Sequence, residues 1–324
     1  MKIGRTVCLF LVLQVSAIVG GCGSIRQRQE ADEQYQHAVY ANENGNPQQA
    51  IDALKRATKA NPNFVPAHEM LGGLYKENGE LDKASQEYET LTRLQPKVAA
   101  HPYQLGLMQQ LLGKLQRAAQ SYASSLKLEP KNADAHMNLG LVYLALGDHQ
   151  RAVDHLRQAT TLNPGSIDAW TNLGVALDDE NDLTGAEKAY RKALELEGNR
   201  YSVFINYAGN LIQQNRSDEA IKLLQQAADM QDGPLVQKRM GDALSKKGWS
   251  DAAIARYERA IKLDSSYVNA YNALGDTLIA AYERGMQLNE SLRERAVAAW
   301  RTSLSLRLDQ PVIASHVDKW ARNK

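Results

Sequence analysis

The amino-acid sequence repeats itself at a period of 34 residues over most of its 324 residues. Proline, glycine and alanine each recur at this spacing, at different points of the period. The prolines are Pro62, Pro96, Pro130 and Pro164, the glycines are Gly72, Gly106, Gly140 and Gly174, and the alanines are Ala50, Ala84, Ala118, Ala152, Ala186 and Ala220, with Ala253 following after 33. Three residue types that share one period predict an array of structural repeats, each stacked on its neighbours to bury an apolar face.

Within one period, bulky, small and proline positions follow a fixed order at helical spacing. In the fourth period they are His136, Leu139, Gly140, Tyr143, Ala152, Leu156, Ala159 and Pro164. This pattern resembles the tetratricopeptide repeat, a 34-residue helix–turn–helix unit. The resemblance implies an all-α fold, a right-handed α-α superhelix (solenoid) of about eight repeats. We place the repeats at 31–64, 65–98, 99–132, 133–166, 167–200, 201–233, 234–267 and 268–310.

The eighth repeat and the C-terminus depart from the pattern. After Leu278 the next small position falls at Ala296, nine residues late, which predicts a lengthened loop around Arg284–Glu290. The segment Ser291–Glu294 has the spacing of a capping box and is predicted to open the final helix of the repeat. Residues 311–324 are predicted to form a C-terminal capping helix, and a protein-binding helix is the alternative. One face of this helix carries Val312, Ile313, His316, Val317 and Trp320.

The N-terminus has the features of a secretory signal. Lys2 and Arg5 precede an apolar run that is too short to cross a bilayer, since about 20 residues are needed. The run ends in Val-Gly-Gly followed by Cys22, which resembles the bacterial lipobox. The resemblance implies a signal peptide over 1–21, acylation of Cys22 and a tether over 22–30. Because no aspartate follows Cys22, it implies the periplasmic face of the outer membrane. A plain cleaved signal or an uncleaved anchor is the alternative.

No constellation of residues predicts catalysis, a cofactor or a metal. The 38 basic and 37 acidic residues nearly cancel, which gives no general field for nucleic acid. The seven histidines are scattered, and His68 and His136 occupy a bulky helix position that favours packing. The acidic cluster at Asp178, Asp179, Glu180 and Asp182 is interpreted as a solvated turn in which Asp182 caps the next helix, and a cation-binding site is the alternative. We therefore expect a protein that is not an enzyme.

The tetratricopeptide resemblance implies a concave groove lined by positions 2, 5, 6, 9, 12 and 13 of each first helix. At position 6 the sequence places Asn138, Asn172 and Asn206, similar to the asparagine ladder that holds an extended peptide backbone in some of these arrays. Asparagine is also a common consensus residue there, so a solvent-facing row is the alternative. The predicted apolar lining comprises Tyr103, Leu107, Met137, Leu141, Leu144, Val175, Ile205 and Ile212.

These features predict a membrane-anchored protein–protein interaction scaffold that assembles or stabilises an envelope machine, such as a pilus, a secretin or a polysaccharide exporter. Type IV pilus pilotins are similar in being acylated and built of these repeats. The expected partners are envelope proteins bound through an extended segment. The alternative is an adaptor that recruits peptidoglycan hydrolases or proteases in the periplasm. A third hypothesis is an enzyme whose site the sequence does not reveal.

Overall fold

The computed structural model describes residues 25–196, 200–285 and 289–321. Within these ranges the regular secondary structure is entirely helical, with short turns between the helices. The all-α fold class that the tetratricopeptide resemblance implies is confirmed. Helix α1 spans 25–43. The others are α2 (Pro47–Ala60), α3 (Val65–Glu77), α4 (Leu81–Leu94), α5 (Ala100–Leu111), α6 (Leu115–Leu128), α7 (Ala133–Ala145), α8 (His149–Leu162), α9 (Ile167–Asp179), α10 (Leu183–Leu196), α11 (Tyr201–Gln213), α12 (Ser217–Met230), α13 (Pro234–Lys246), α14 (Ser250–Leu263), α15 (Val268–Arg284), α16 (Glu290–Leu306) and α17 (Pro311–Ala321).

The helices divide into two compact units, one ending at Asp148 and the other beginning at His149. Within each unit, neighbouring helices in the sequence pack against each other as antiparallel hairpins. Residues 25–30, predicted to belong to a tether, instead form the first turns of α1. None of the helices in the described ranges has the length and apolar character needed to cross a bilayer.

The turn between the two helices of each 34-residue repeat contains three residues, and the middle one adopts a positive φ. Glycine fills this place in most repeats, as at Gly79 (φ 74°) and Gly147 (φ 75°). In two repeats the middle residue of the turn is an asparagine instead, Asn181 (φ 62°) or Asn215 (φ 60°). Asparagine tolerates the left-handed region better than most non-glycine residues, so the turn geometry is retained without glycine.

The periodic glycines of the first helices let a bulky side chain of the second helix pack against the backbone. A β-carbon at Gly106 would lie 2.9 Å from Cδ1 of Tyr122, and one at Gly174 would lie 2.4 Å from Cε1 of Tyr190. Both tyrosines are fully buried. The ring above each of these two glycines therefore fills the space that a β-carbon would occupy.

A ring nitrogen near the start of several first helices binds the carbonyl of the periodic proline six residues earlier. His68 Nε2 donates to the Pro62 carbonyl (3.0 Å), and His136 Nε2 donates to the Pro130 carbonyl (3.2 Å). In the second unit Trp170 Nε1 donates to a proline carbonyl at 2.9 Å in the same way. The histidines predicted to pack at this position therefore also tie the end of one repeat to the start of the next.

His68 has a second partner, because its Nδ1 lies 2.5 Å from Oε2 of Glu87 on α4. Burial lowers the pKa of His68, but the hydrogen bonds to Glu87 and to the Pro62 carbonyl outweigh burial and raise it above 6.5. A raised folded-state pKa stabilises the fold below the unfolded-state value, and this contribution is lost as the pH rises through the folded-state value.

We expect Glu87→Gln to lower the stability of the first unit most at mildly acidic pH. Below about pH 6.5 the wild-type protein has the charged pair, and a hydrogen bond between charged groups contributes about 1.5–3 kcal/mol. The gap in melting temperature between the two proteins should narrow as the pH is raised towards about 9. Glu89→Gln, which alters an exposed glutamate of the same helix, is the control. A gap that does not change with pH would contradict this account.

The eighth repeat absorbs its nine extra residues differently from the prediction. Helices α15 and α16 each have 17 residues, against 13 in a typical first helix and 14 in a second helix. Most of the extra length is therefore helix rather than loop. The predicted capping box is wrong, because α16 begins at Glu290 and Ser291 lies inside it, with Asn289 at the N-cap. The helix starts before the motif, so its serine has no terminal N–H to cap.

Helix α17 packs against α16. Ile313 and Trp320 are buried, and the Trp320 ring meets Tyr282 of α15 edge-on at 6.1 Å. Val312, which was placed on the same face, is 64% exposed and does not contribute to this contact. At the start of the helix, Gln310 is buried and its Nε2 donates to the carbonyls of Ser303 (3.0 Å) and Arg307 (2.7 Å). The end of α16 and the start of α17 are thereby joined.

Candidate functional site

The predicted binding residues lie on the first helices of the hairpins, and we call the side of these helices that carries Asn138, Asn172 and Asn206 the first-helix face. In the first unit α5 and α7 contribute to it, and in the second unit α9, α11, α13 and α15 do. Cys22, the predicted acylation site, lies outside the described residues.

In the first unit the structure brings the predicted residues of α5 and α7 together. Asn138 Nδ2 donates to the hydroxyl of Tyr103 at 3.0 Å, across neighbouring repeats. Tyr103 also packs on Tyr122, with ring centroids 5.7 Å apart. The other predicted groove residues of α5 and α7 are half-buried apolar side chains, namely Leu107, Met137, Leu141 and Leu144. Part of the hydrogen-bonding capacity of Asn138 is therefore used inside the fold, and the patch is mainly apolar.

In the second unit the two asparagines of the predicted ladder are available. Asn172 and Asn206 are half-buried, and neither side chain forms a hydrogen bond with another described residue. Asn206 and Val175 line a small open pocket of about 110 Å³ on the first-helix face. A half-buried amide without a partner can both donate to and accept from a peptide unit. These two residues carry the geometry that a backbone clamp requires.

Two predicted groove residues are placed differently by the structure. Ile205 is only 2% exposed and belongs to a core cluster with Phe204, Ala227 and Val236, so the prediction that it lines an open surface is wrong. Helix α13 packs on α11 and covers this position. Ile212 is 8% exposed and borders a larger open pocket of about 430 Å³. Ile212 therefore lies at the edge of the pocket, with most of its side chain covered by the fold.

Sequence reasoning missed Arg239, which lines both of these pockets. It follows Asn206 by 33 residues, because the repeat that contains Asn206 (201–233) is one residue short, and it therefore occupies the same helix position as the asparagines. This register was the signal that could have identified it. Gly209, one turn after Asn206, lies between the two pockets and against the guanidinium.

A buried polar network fixes the helices beneath the smaller pocket. Asn210 is fully buried, and its Nδ2 donates to Oδ1 of Asp178 (2.6 Å) and to the Leu183 carbonyl (2.9 Å). The hydroxyl of Tyr190 donates to Oδ2 of Asp178 at 2.8 Å. Burial raises the pKa of Asp178, although the hydrogen bonds from Asn210 and Tyr190 oppose the rise. The network joins α9, α10 and α11, so the floor of the site is preorganised.

The acidic turn after α9 acts as a helix cap. Oδ1 of Asp182 accepts from the backbone N–H of Gly185 at 2.9 Å, which confirms the predicted capping role. Asp179 lies 3.6 Å from Nδ1 of His149. Among the described residues no group of three or more histidine, cysteine, aspartate or glutamate side chains is arranged to hold a metal ion.

Models of the tetratricopeptide repeat match most of the array. One model described as a tetratricopeptide repeat matches residues 103–167 and 151–200, and a second with the same description matches 41–111 and 179–240. A third model, described as a TPR repeat, matches 241–281. The chain belongs to the tetratricopeptide repeat family. Proteins of this family generally mediate protein–protein interactions, and their folds bind peptide segments in a groove. The family is generally non-catalytic.

Solved tetratricopeptide repeat structures agree with this assignment. A tetratricopeptide repeat protein from Parabacteroides merdae is 20% identical, with 91% of this chain and 100% of that chain covered and a TM-score of 0.58. The APC/C hetero-tetramer Cut9–Hcn1 is 14% identical, with 85% and 52% covered and a TM-score of 0.61. These two similarities show the fold alone. MamA protein is 28% identical, with 52% and 93% covered and a TM-score of 0.50. None of the curated proteins matches this chain.

Proposed function

We propose that this tetratricopeptide repeat protein is a membrane-anchored scaffold of the bacterial envelope that holds an extended segment of a partner on its first-helix face. The observation that carries the proposal is the pair of unpartnered amides at Asn172 and Asn206, which lie 34 residues apart in equivalent positions. Each is the sixth residue of a first helix in successive repeats, so each can pair with a backbone amide of one bound segment.

The apolar patch of the first unit supports the same function. Met137, Leu141 and Leu144 are half-exposed on α7, although the core of their repeat is formed by other residues, such as Leu139. Exposed apolar residues that are grouped on one face are typical of protein-binding surfaces. Apolar side chains of a partner would be received on this patch of the first unit.

The envelope location rests on the sequence of the N-terminus, where a short apolar run ends in the lipobox-like Val-Gly-Gly and Cys22. An acylated cysteine would anchor the repeats at the periplasmic face of the outer membrane. A scaffold in that place would assemble or stabilise a pilus, a secretin or a polysaccharide exporter. Capture from a detergent extract separates this role from an adaptor role, for which peptidoglycan hydrolases or proteases would be recovered instead.

We expect the double variant Asn172→Ala/Asn206→Ala to reduce partner capture by about tenfold or more. Each lost hydrogen bond contributes about 1 kcal/mol, and 1.4 kcal/mol corresponds to a factor of ten. The melting temperature should hardly change, since neither amide supports the fold. Adding Asn138→Ala should reduce capture only slightly further, because this amide is already bonded to Tyr103. The measurement is quantitative recovery of envelope proteins beside a thermal melt.

Lysine substitutions test the apolar part of the surface independently. Met137→Lys and Val175→Lys should weaken capture, because each places an unpaired charge in a desolvated contact. Lys188→Ala, on an exposed side of a second helix, is the control and should have no effect. If capture by the amide and lysine variants equals that of the wild-type protein, the partner binds elsewhere and the proposal is wrong.

A further inference from the structure

Arg239 is a cation without a partner in the middle of the second unit's binding surface. Its side chain is half-buried on α13, and its Nε is shielded from solvent with no hydrogen-bond partner. The guanidinium forms no ion pair or hydrogen bond with the rest of the described chain. By contrast, two other basic residues of the second unit are paired: Arg216 binds Glu187 at 2.6 Å, and Lys238 binds Asp242 at 2.8 Å. A partly desolvated guanidinium with unused donors is unfavourable unless a ligand supplies the acceptor.

Four carboxylates line the same two pockets. Three of them are already bonded to other side chains, and the fourth, Asp179, lies 3.6 Å from Nδ1 of His149. Tyr190 (2.8 Å) and Asn210 (2.6 Å) donate to Asp178, Lys238 (2.8 Å) and Tyr257 (3.1 Å) donate to Asp242, and Trp300 (3.2 Å) donates to Asp276. Burial raises the pKa of both Asp178 and Asp276. These acids therefore do not neutralise Arg239 by direct contact, and its charge is available to a bound molecule.

The position of the guanidinium depends on a glycine of the neighbouring helix. A β-carbon at residue 209 would lie 2.3 Å from Nη1 and 2.8 Å from Cζ of Arg239. The guanidinium thus lies directly against the backbone of α11, where any side chain at residue 209 would displace it. Because Gly209 stands one turn after Asn206, the cation lies beside the second amide of the proposed clamp.

Open pockets lie on both sides of Arg239. Arg239 lines one pocket together with Val175 and Asn206, and the other together with Ile212, Ser245 and Thr277. A chain bound here has space to continue in both directions past the guanidinium. The group that reaches Arg239 is therefore expected to be a side chain of an internal residue rather than the end of a chain.

We propose that Arg239 binds the side-chain carboxylate of an aspartate or glutamate within an extended partner segment, next to the peptide unit held by Asn206. The inference rests on the proposed function and adds the chemistry of the segment. The terminal nitrogens of the guanidinium, which border the pockets, donate to the carboxylate, and a hydrogen bond between charged groups is stronger than one between neutral groups. The asparagines bind any backbone, whereas Arg239 selects an acidic residue.

Immobilised pools of randomised decapeptides, acetylated and amidated, provide the test. One central position is fixed as Glu, Gln or Lys, and a fourth pool without acidic residues ends in a free carboxylate. We expect the wild-type protein to bind the Glu pool about tenfold more strongly than the Gln pool and to show no comparable gain for the free C-terminus. Arg239→Gln should remove the preference for Glu.

Two further variants isolate the arginine from other effects. Lys246→Gln removes the same charge from the same pocket, on an exposed residue, and should leave the preference for Glu intact. Gly209→Ala keeps Arg239 but displaces its guanidinium, so the preference should fall while thermal melts show that the unit remains folded.

The outcomes separate the two proposals. Binding of all pools without a preference for Glu would overturn the role of Arg239 and leave the clamp in place. A preference for the free C-terminus that depends on Arg239 would overturn the assignment to an internal side chain. A wild-type protein that binds none of the pools would contradict the proposed function itself.

Discussion

Replacing Gly174 with alanine is expected to destabilise the second unit by about 1–3 kcal/mol, which is typical of a methyl group forced into a packed core. The added β-carbon would lie 2.4 Å from Cε1 of Tyr190, a fully buried ring that also donates to Asp178. The ring has to move, and its hydrogen bond weakens with it. Gly174→Leu should be more severe and prevent the unit from folding. Thermal or urea unfolding of the purified protein measures both changes.

Gly73 provides a matched control for this prediction. It also lies in a first helix, but a β-carbon there would have no neighbour within 4 Å. Gly73→Ala should therefore stabilise the first unit by about 1 kcal/mol, since alanine is the better helix former. The same Gly→Ala substitution is thus expected to lower the stability at Gly174 and to raise it at Gly73. If both substitutions shift stability in the same direction, the close packing over Gly174 is not what selects glycine.

Replacing Cys22 with serine is expected to move the protein from the membrane fraction to the soluble fraction. A serine has no thiol to acylate, and the chain would lose an anchor worth about 0.8 kcal/mol for each buried CH₂ group. Mass spectrometry of the wild-type protein should show an acylated N-terminal cysteine after removal of residues 1–21. Fractionation with membrane and periplasmic markers gives the second readout.

Cys8 offers the control for this experiment, because it is the one other cysteine of the sequence and lies within the apolar run. Cys8→Ser should leave fractionation unchanged. A Cys22→Ser protein that stays in the membrane fraction with an unmodified N-terminus would show that another feature holds it there. The envelope part of the proposed function would then be wrong, while the binding surface would be unaffected.

The sequence period was sufficient to predict the hairpins, because each position has a contact that its residue type suits. Gly174 needs to be small beneath Tyr190, and the middle residue of each turn needs a positive φ. Asparagine at Asn181 and Asn215 was harder to foresee, since glycine is the usual signal and asparagine is common elsewhere. The period located the helices within a few residues even in the two repeats that have asparagine in place of the turn glycine.

Side-chain burial within the site was less predictable. Ile205 and Asn206 are adjacent, yet one is a core residue and the other is half-exposed. The difference depends on how closely α13 approaches α11, which the repeat pattern does not specify. Arg239 shared the register of the asparagines, but its lack of a partner depends on the hydrogen bonds of Asp178 and Asp242. Which side chains are already hydrogen-bonded to each other can be seen only in the three-dimensional structure.

The eighth repeat shows how such an array can change its length without losing its core. Four residues are added to α15 and three to α16, compared with the usual first and second helices. Each addition is close to one helical turn of 3.6 residues, so residues beyond the addition still point towards the same neighbours. Two extra residues in either helix would rotate the apolar stripe by about 200° and expose it. Repeats of this kind can therefore be lengthened in steps of one turn, and a designed eighth-repeat variant that removes four residues from α15 and three from α16 should still fold.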